Sequence, residues 1–254
     1  MTITYLLFCS LALGQGPGRD SLLAEGARLA AMEPGAALVR FEAILAADSS
    51  DLVANWRAAT ALNDLAEPLG DRASQTRHDS LLAGAERYGR RAVRLAPENA
   101  RALFVLGLVL GNRALDAGLK ERVRLAGEIR ELALRAIAAD SLLDAAHHLL
   151  GRWNYEVMRL SGLQRFIARN LLGGAVLREA SWPKAETELL RAVALDSTRI
   201  YHRLDLARVY LARRNPAAAE AQLRAITSLP SRFAADTIYR RQAAELLETV
   251  GGKR

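Results

Sequence analysis

Residues 191–230 read RAVALDSTRIYHRLDLARVYLARRNPAAAEAQLRAITSLP, and this stretch decides the fold. Ala192 and Ala225 each stand five residues ahead of a helix-stopping position, Ser197 and Pro230. Proline lacks the backbone donor that would continue a helix, and serine can cap the next one. Between these stops the chain carries two helical segments. Asn215-Pro216 starts the second, with Asn as cap and Pro in the first turn. Ala207 and Ala218 put a small residue on each segment. Two helices joined as a hairpin approach closely only where small residues face each other, and larger residues then fill the space to the next hairpin. From Ala192 to Ala225 the period is 33 residues.

The same ending recurs upstream as AILAADSSD at Ala43, RAVRLAPEN at Arg91 and RAIAADSLL at Arg135. Ala92 and Ala136 take the alanine slot, and Ile44 replaces it in the first copy. The stop slot reads Ser49, Pro97 and Ser141. About ten residues beyond each stop a small residue returns, as Ala59, Gly107, Gly151 and Ala207. This resembles the tetratricopeptide pattern of one helix pair per repeat. The expectation is an all-α, right-handed α-solenoid of about five helix hairpins, at 20–51, 52–99, 100–141, 142–197 and 198–230. A final helix, 233–250, caps the end, with Arg240, Arg241 and Gln242 on its outer face. One tetratricopeptide-like domain then spans 20–250.

The copies differ in length, so some carry insertions. EPLGDRASQTRHDS, 67–80, reads as a polar surface loop, and 113–125 as longer helices in the third pair. After Ser161-Gly162 comes LQRFIARNLL, 163–172, then Gly173-Gly174. This is an extra amphipathic helix, with Leu163, Phe166, Ile167, Leu171 and Leu172 near one face. It either covers the concave groove or extends a repeat.

The ends and the composition bound the function. Residues 1–14 read as a signal peptide, with an apolar run too short to span a bilayer and Ala12-Leu13-Gly14 as a cleavage site. Residues 15–19 are a linker. This predicts an exported, extracytoplasmic protein, or one tethered by an uncleaved N-terminus. The single cysteine, Cys9, lies in the leader, so the mature chain would have neither disulfide nor thiol chemistry. The net charge is +7, almost all of it from arginines scattered along the chain. Scatter and export both argue against a nucleic-acid partner.

Within this frame HxLLGRWxYxVxxLSxLxR, here Leu149, Leu150, Gly151, Arg152, Trp153, Tyr155, Val157, Leu160, Ser161, Leu163 and Arg165, resembles the regulator of microtubule dynamics family. NWRAATA around Trp56, Arg57 and Ala59 is a second match, YGRRAVRLAPEN at 88–99 a third, and LARVYLARRNPAAAEAQLRAITSLP a fourth. The resemblance covers roughly 48–248 and implies a tetratricopeptide-like domain. Asn154 stands where the animal members commonly have Cys, and Gly162 where they have Trp. Those members associate with microtubules or sit on the mitochondrial surface, and at least one has a repeat domain implicated in phospholipid binding.

Catalysis has no legible apparatus in the sequence. His147 and His148 are adjacent, so on a helix their rings diverge, and His78 and His202 lack a partner at ligand spacing. Glu156 and Arg152 read as a surface pair one turn apart. The sequence therefore predicts a non-enzymatic protein with no metal and no cofactor. Its concave face, counted from the small residues, would carry Trp56, Phe104, Asn112, His148, Arg152, Tyr155, Tyr201 and Arg208, with Thr60, Asn63 and Leu108 between them. Aromatic rings with Arg and Asn suit a protein or peptide partner in the groove. The alternative is a lipid or other apolar ligand between the groove and the inserted helix. An open polar channel would favour the first, and an apolar cavity rimmed by Arg152 or Arg165 the second.

Overall fold

The computed structural model describes residues 18–67 and 74–251. The expected leader, with Cys9, and most of the linker lie outside these residues. Five helix hairpins follow one another: α1 (Arg19–Leu29) with α2 (Pro34–Ala47), α3 (Leu52–Ala66) with α4 (Gln75–Leu95), α5 (Ala100–Asp116) with α6 (Leu119–Ala139), α7 (Asp144–Arg159) with α9 (Trp182–Leu195), and α10 (Ile200–Ala212) with α11 (Pro216–Thr227). The fourth pair is interrupted by α8 (Gly162–Asn170) and a short 3-10 helix, Ala175–Glu179. The last helix is α12 (Asp236–Gly251). The molecule is an all-helical α-solenoid. Arg19, expected in the linker, already opens α1, and Gln75–Ser80, expected in a loop, begin α4.

The caps follow local chemistry. Asp51, Asn99, Ser181 and Asn215 each accept a backbone N–H from the first turn of the following helix. Ser49, Ser141 and Ser197 do not cap. The aspartate just before each makes the turn instead: Asp48, Asp140 and Asp196 each accept the N–H two residues on.

The repeat is regular in packing where it is worn in sequence. Each second helix buries positions i, i+4 and i+7: Ala37, Phe41 and Ile44; Ala85, Gly89 and Ala92; Ile129, Ala133 and Ala136; Ala185, Leu189 and Ala192; Ala219, Leu223 and Ile226. The last two sets are 34 residues apart, Ala185 to Ala219. Ile226, not Ala225, therefore holds the slot of Ala192, and Ala219 replaces Ala218 as the small residue. Ala225 is half-buried. The 33-residue period fails because the buried slot lies four residues before Pro230 but five before Ser197.

The first helices show why small residues are needed. A Cβ on Gly107 would lie 2.6 Å from Leu149 of α7, and one on Gly151 would lie 2.7 Å from Leu189 of α9. Ala59 and Ala207 are fully buried in equivalent places. Leu149 and Leu189 thus fill the room that the glycines leave, which is the close interdigitation of a protein interior.

α12 caps the last hairpin as expected, but two of its three expected outer residues turn inward. It packs on α10 and α11. Arg240 donates to the carbonyls of Ile226 and Leu229, and Gln242 accepts from Arg208. Only Arg241 of the three faces solvent. The segment before α12 crosses the concave side to the first hairpin, where the Ala234 N–H donates to Ala31 C=O at 2.9 Å. Tyr239 donates to Glu67 at the end of α3. The first and last hairpins are thereby joined. Among the described residues no helix is long and apolar enough to cross a membrane.

Candidate functional site

Bridging the ends of the solenoid turns its groove into a partly enclosed cavity of about 740 Å³. Its walls come from the first helices α3, α5 and α7, from the inner side of α6, and from Phe233–Asp236 and Tyr239. Leu108, Leu119, Val123, Ile129, Leu149, Trp153, Val157, Leu160 and Leu177 make one region apolar. Trp153 is buried and donates its indole N–H to Ala126 C=O at 2.7 Å, so its ring forms part of the wall without an unmatched donor.

Six of the eight expected groove residues line this cavity: Trp56, Phe104, Asn112, His148, Arg152 and Tyr201. Thr60, Asn63 and Leu108 join them. Tyr155 and Arg208 do not. Tyr155 turns away to α9, edge-on to Trp182 at 6.0 Å between ring centroids. Arg208 donates to Asp205 at 2.6 Å and to Gln242 at 2.8 Å, tying α10 to α12. Sequence counting missed Asp64, Glu67, Asp205, Phe233 and Tyr239. Asp205 alone left a signal, a carboxylate within the apolar run Leu204-Asp205-Leu206.

The polar side of the cavity is a continuous network. His148 and His202 come from neighbouring helices and meet at 3.1 Å between their Nδ1 atoms. The Nε2 of His202 lies 2.8 Å from Asp144, and that of His148 lies 3.2 Å from Asp205. His202 does have a partner, then, but one supplied by the fold. Both Nε2 atoms face carboxylates, so each ring turns its Nε2 side to an acid and its Nδ1 side to the other ring. Burial, against the pull of Asp144, pushes His202 down to about 4. Burial would raise Asp205, yet Arg152, then His148 and Arg208, hold it well below the usual carboxylate range. On the opposite wall burial and the neighbouring charge of Glu67 push Asp64 up to about 7. Burial likewise raises Glu67, against the hydrogen bond from Tyr239.

Arg152 and Arg199 are the cations of this network that line the cavity, Arg199 beside Asp144 and Asp196. The nearest carboxylate to Arg152 is Asp205, at 3.8 Å. The expected surface pair with Glu156 does not form, and Glu156 pairs with Arg159 at 3.2 Å. The Arg152 donors therefore point into the cavity largely unspent. His147 is separate, between Glu188 and Ser141 C=O. His78, expected to lack a partner, lies 3.7 Å from Asp79 and 3.5 Å from Asp116 on the outer surface.

The profile of the family described as regulator of microtubule dynamics protein 1-3 matches residues 24–251. The chain belongs to this family. Regulator of microtubule dynamics protein 3 of Bos taurus is 33% identical over 136 residues, which are 52% of this chain and 28% of that protein. The chain thus matches under a third of that relative's length. Among solved structures, TTC0263, a tetratricopeptide protein of Thermus thermophilus, superposes with a TM-score of 0.61 at 22% identity, over 91% of this chain and 99% of that one. A human IFIT1 dimer with m7Gppp-AAAA superposes with a TM-score of 0.51 at 16% identity, over 94% of this chain and 60% of that one. These likenesses establish a tetratricopeptide-like fold.

In this member of the regulator of microtubule dynamics family, the stretch that carries the resemblance divides by helix face. Leu149, Leu150, Gly151, Trp153 and Val157 are buried in the core. Arg152 and Leu160 face the cavity, and of the buried residues Leu149, Trp153 and Val157 also form part of its wall. Asn154, in place of the common Cys, bonds Leu150 C=O and accepts the N–H of Ser181, joining α7 to the cap of α9. Ser161 and Gln164 form a reciprocal capping box that starts α8.

Proposed function

We propose that this chain is a non-catalytic repeat scaffold whose cavity holds an elongated apolar or lipid-like ligand, with the polar end of that ligand toward Arg152. The observation that carries this reading is the bridge from Phe233–Tyr239 to Ala31 and Glu67, which makes a partly roofed cavity of about 740 Å³ out of an open groove. That volume is in the range of small-molecule sites, which are mostly apolar with a few placed polar groups. An extended peptide needs an open channel with free ends, and the bridge opposes that.

The test is mass spectrometry of organic extracts from the purified protein. A stoichiometric amphiphile is expected. Arg152→Ala should weaken its retention, and Leu108→Trp, which fills the cavity, should abolish it. Extracts with no such ligand from a folded protein would overturn the reading.

A protein partner is the second reading, supported by one observation. Arg57 lies 4.7 Å from the ring centre of the cavity-lining Trp56, and Arg101, which also lines the cavity, lies 6.0 Å from it. Neither arginine has a carboxylate partner among the described residues, so an acidic peptide could pair with both. Export through the N-terminal leader is part of the proposal in either case.

A further inference from the structure

Away from the cavity, one histidine meets two carboxylates where the second hairpin packs on the third. His78 and Asp79 lie in the opening turns of α4, and Asp116 ends α5. One ligand atom from each lies within 4.8 Å of the other two. The Nδ1 of His78 is 3.5 Å from an Asp116 oxygen and 3.7 Å from an Asp79 oxygen. The His78 side chain is only 15% exposed, while those of Asp79 and Asp116 are 62% and 50% exposed. The cluster is thus anchored by a mostly buried ring and opens to solvent through its acids.

The ring nitrogen decides the reading. The His78 Nδ1 is shielded from solvent and has no hydrogen-bond partner. Such an atom is destabilising unless something pairs with it. Its two acidic neighbours stand too far off for a good hydrogen bond. They stand instead near the spacing of atoms that share an ion, since ligands about 2.0–2.2 Å from a tetrahedral metal lie roughly 3.3–3.6 Å apart. Neither aspartate has an arginine or lysine partner among the described residues, in a chain of net charge +7. Arg122 gives its donors to the carbonyls of Ala114, Leu115 and Ala117 at the end of α5, not to Asp116. Gln75 donates at 2.9 Å to the same Asp79 oxygen that approaches the ring, which orients that carboxylate and leaves it a lone pair. Asp116 sits at the C-terminal end of its helix, where the helix dipole also favours a cation.

We propose that His78, Asp79 and Asp116 bind a divalent transition-metal ion, with Zn²⁺ the best fit, and that this ion clips the start of α4 to the end of α5. One imidazole with two carboxylates suits Zn²⁺, whereas Ca²⁺ and Mg²⁺ want oxygen ligands alone. Three protein ligands leave a coordination position for water. None of the three residues lines the cavity, so the ion's role is to join two hairpins from outside. His78 and Asp116 are far apart in sequence, and only the fold brings them together.

The test is calorimetric titration of untagged, chelator-stripped full chain with Zn²⁺, together with melting curves with and without the ion. One saturable site per chain is expected, and Zn²⁺ should raise the melting temperature by roughly a few degrees. Asp116→Asn, which keeps the shape of an exposed side chain, should weaken binding by roughly tenfold or more and remove the thermal shift. Its melting temperature without metal should not fall. His78→Gln should weaken binding to the same degree, and Ca²⁺ should bind the parent at least roughly tenfold more weakly than Zn²⁺. A folded parent with no saturable site, or equal Zn²⁺ affinity in Asp116→Asn, would overturn the proposal. So would Ca²⁺ binding as tight as that of Zn²⁺, because the imidazole would then not be a ligand. The readout is metal binding and not cavity content, so an empty cavity would leave this result standing.

Discussion

Two seams hold this molecule together, and they are built from opposite materials. Along the hairpin stack the seam is dry: between the third and fourth hairpins Gly107 receives Leu149, and within the fourth Gly151 receives Leu189, with no room for a methyl group. Between the first and last hairpins the seam is polar. It consists of the Ala234 to Ala31 backbone bond and the Tyr239 to Glu67 bond, which tie the C-terminal segment to the first hairpin and to the end of α3. Packing energy of the first kind cannot be released piecemeal, because a core is either filled or strained. Hydrogen bonds of the second kind each contribute only about 1 kcal/mol net, since water replaces them on opening. The difference teaches where this protein can move. The hairpin stack is fixed, and on the proposed function the bridge is the part that would open to admit a ligand.

The strongest way to break this contrast is Gly151→Leu. The added side chain meets Leu189, whose backbone nitrogen would lie 3.2 Å from the new Cβ. Overpacking there should cost about 3 kcal/mol, read as a large fall in melting temperature. An unchanged melting temperature would remove the register on which the fold rests.

A smaller effect sharpens the polar side. Asp64 lines the cavity near the bridge and is pushed up to about 7. Below about pH 4 the carboxyl is protonated whether the chain is folded or not. Between pH 4 and 7 the unfolded chain releases this proton and the folded one keeps it, so stability from this group falls as pH rises. Asp64→Asn should therefore gain about 1 to 2 kcal/mol over the parent on going from pH 4 to pH 8, after allowance for the partial exposure of the site. Melting curves at the two pH values measure this. A constant difference would mean that Asp64 is ordinary.

The dry seam was legible in the sequence and the polar seam was not. Small residues at Ala59, Gly107, Gly151 and Ala207 repeat because each repeat poses the same steric problem, and a repeated constraint leaves a period. Even there one register slipped, from Ala225 to Ile226, because helix stops were used as the ruler and α11 ends differently. The cavity wall was read where helical counting holds, at Trp56, Phe104, Asn112, His148, Arg152 and Tyr201. Counting failed at Tyr155 and Arg208, whose positions on their helices face α9 and α12 instead. Nothing periodic announces Glu67 beside Tyr239, or His148 beside His202, since each contact joins residues far apart in sequence and occurs once. The face of α8 was read correctly as apolar. Periodicity identifies such a face but does not say whether protein covers it.

The most direct measurement uses the bridge itself. Ala31 and Ala234 are already in backbone contact, so replacing both with cysteine places a reversible lock across the polar seam. Release of cis-parinaric acid, a fluorescent fatty acid, would be followed from the oxidised and the reduced double variant. Oxidation should slow release by roughly tenfold or more, a change of about 1.4 kcal/mol in the barrier, and reduction should restore it. Equal release rates from the two forms, or no binding of the probe at all, would contradict a ligand held in the bridged cavity.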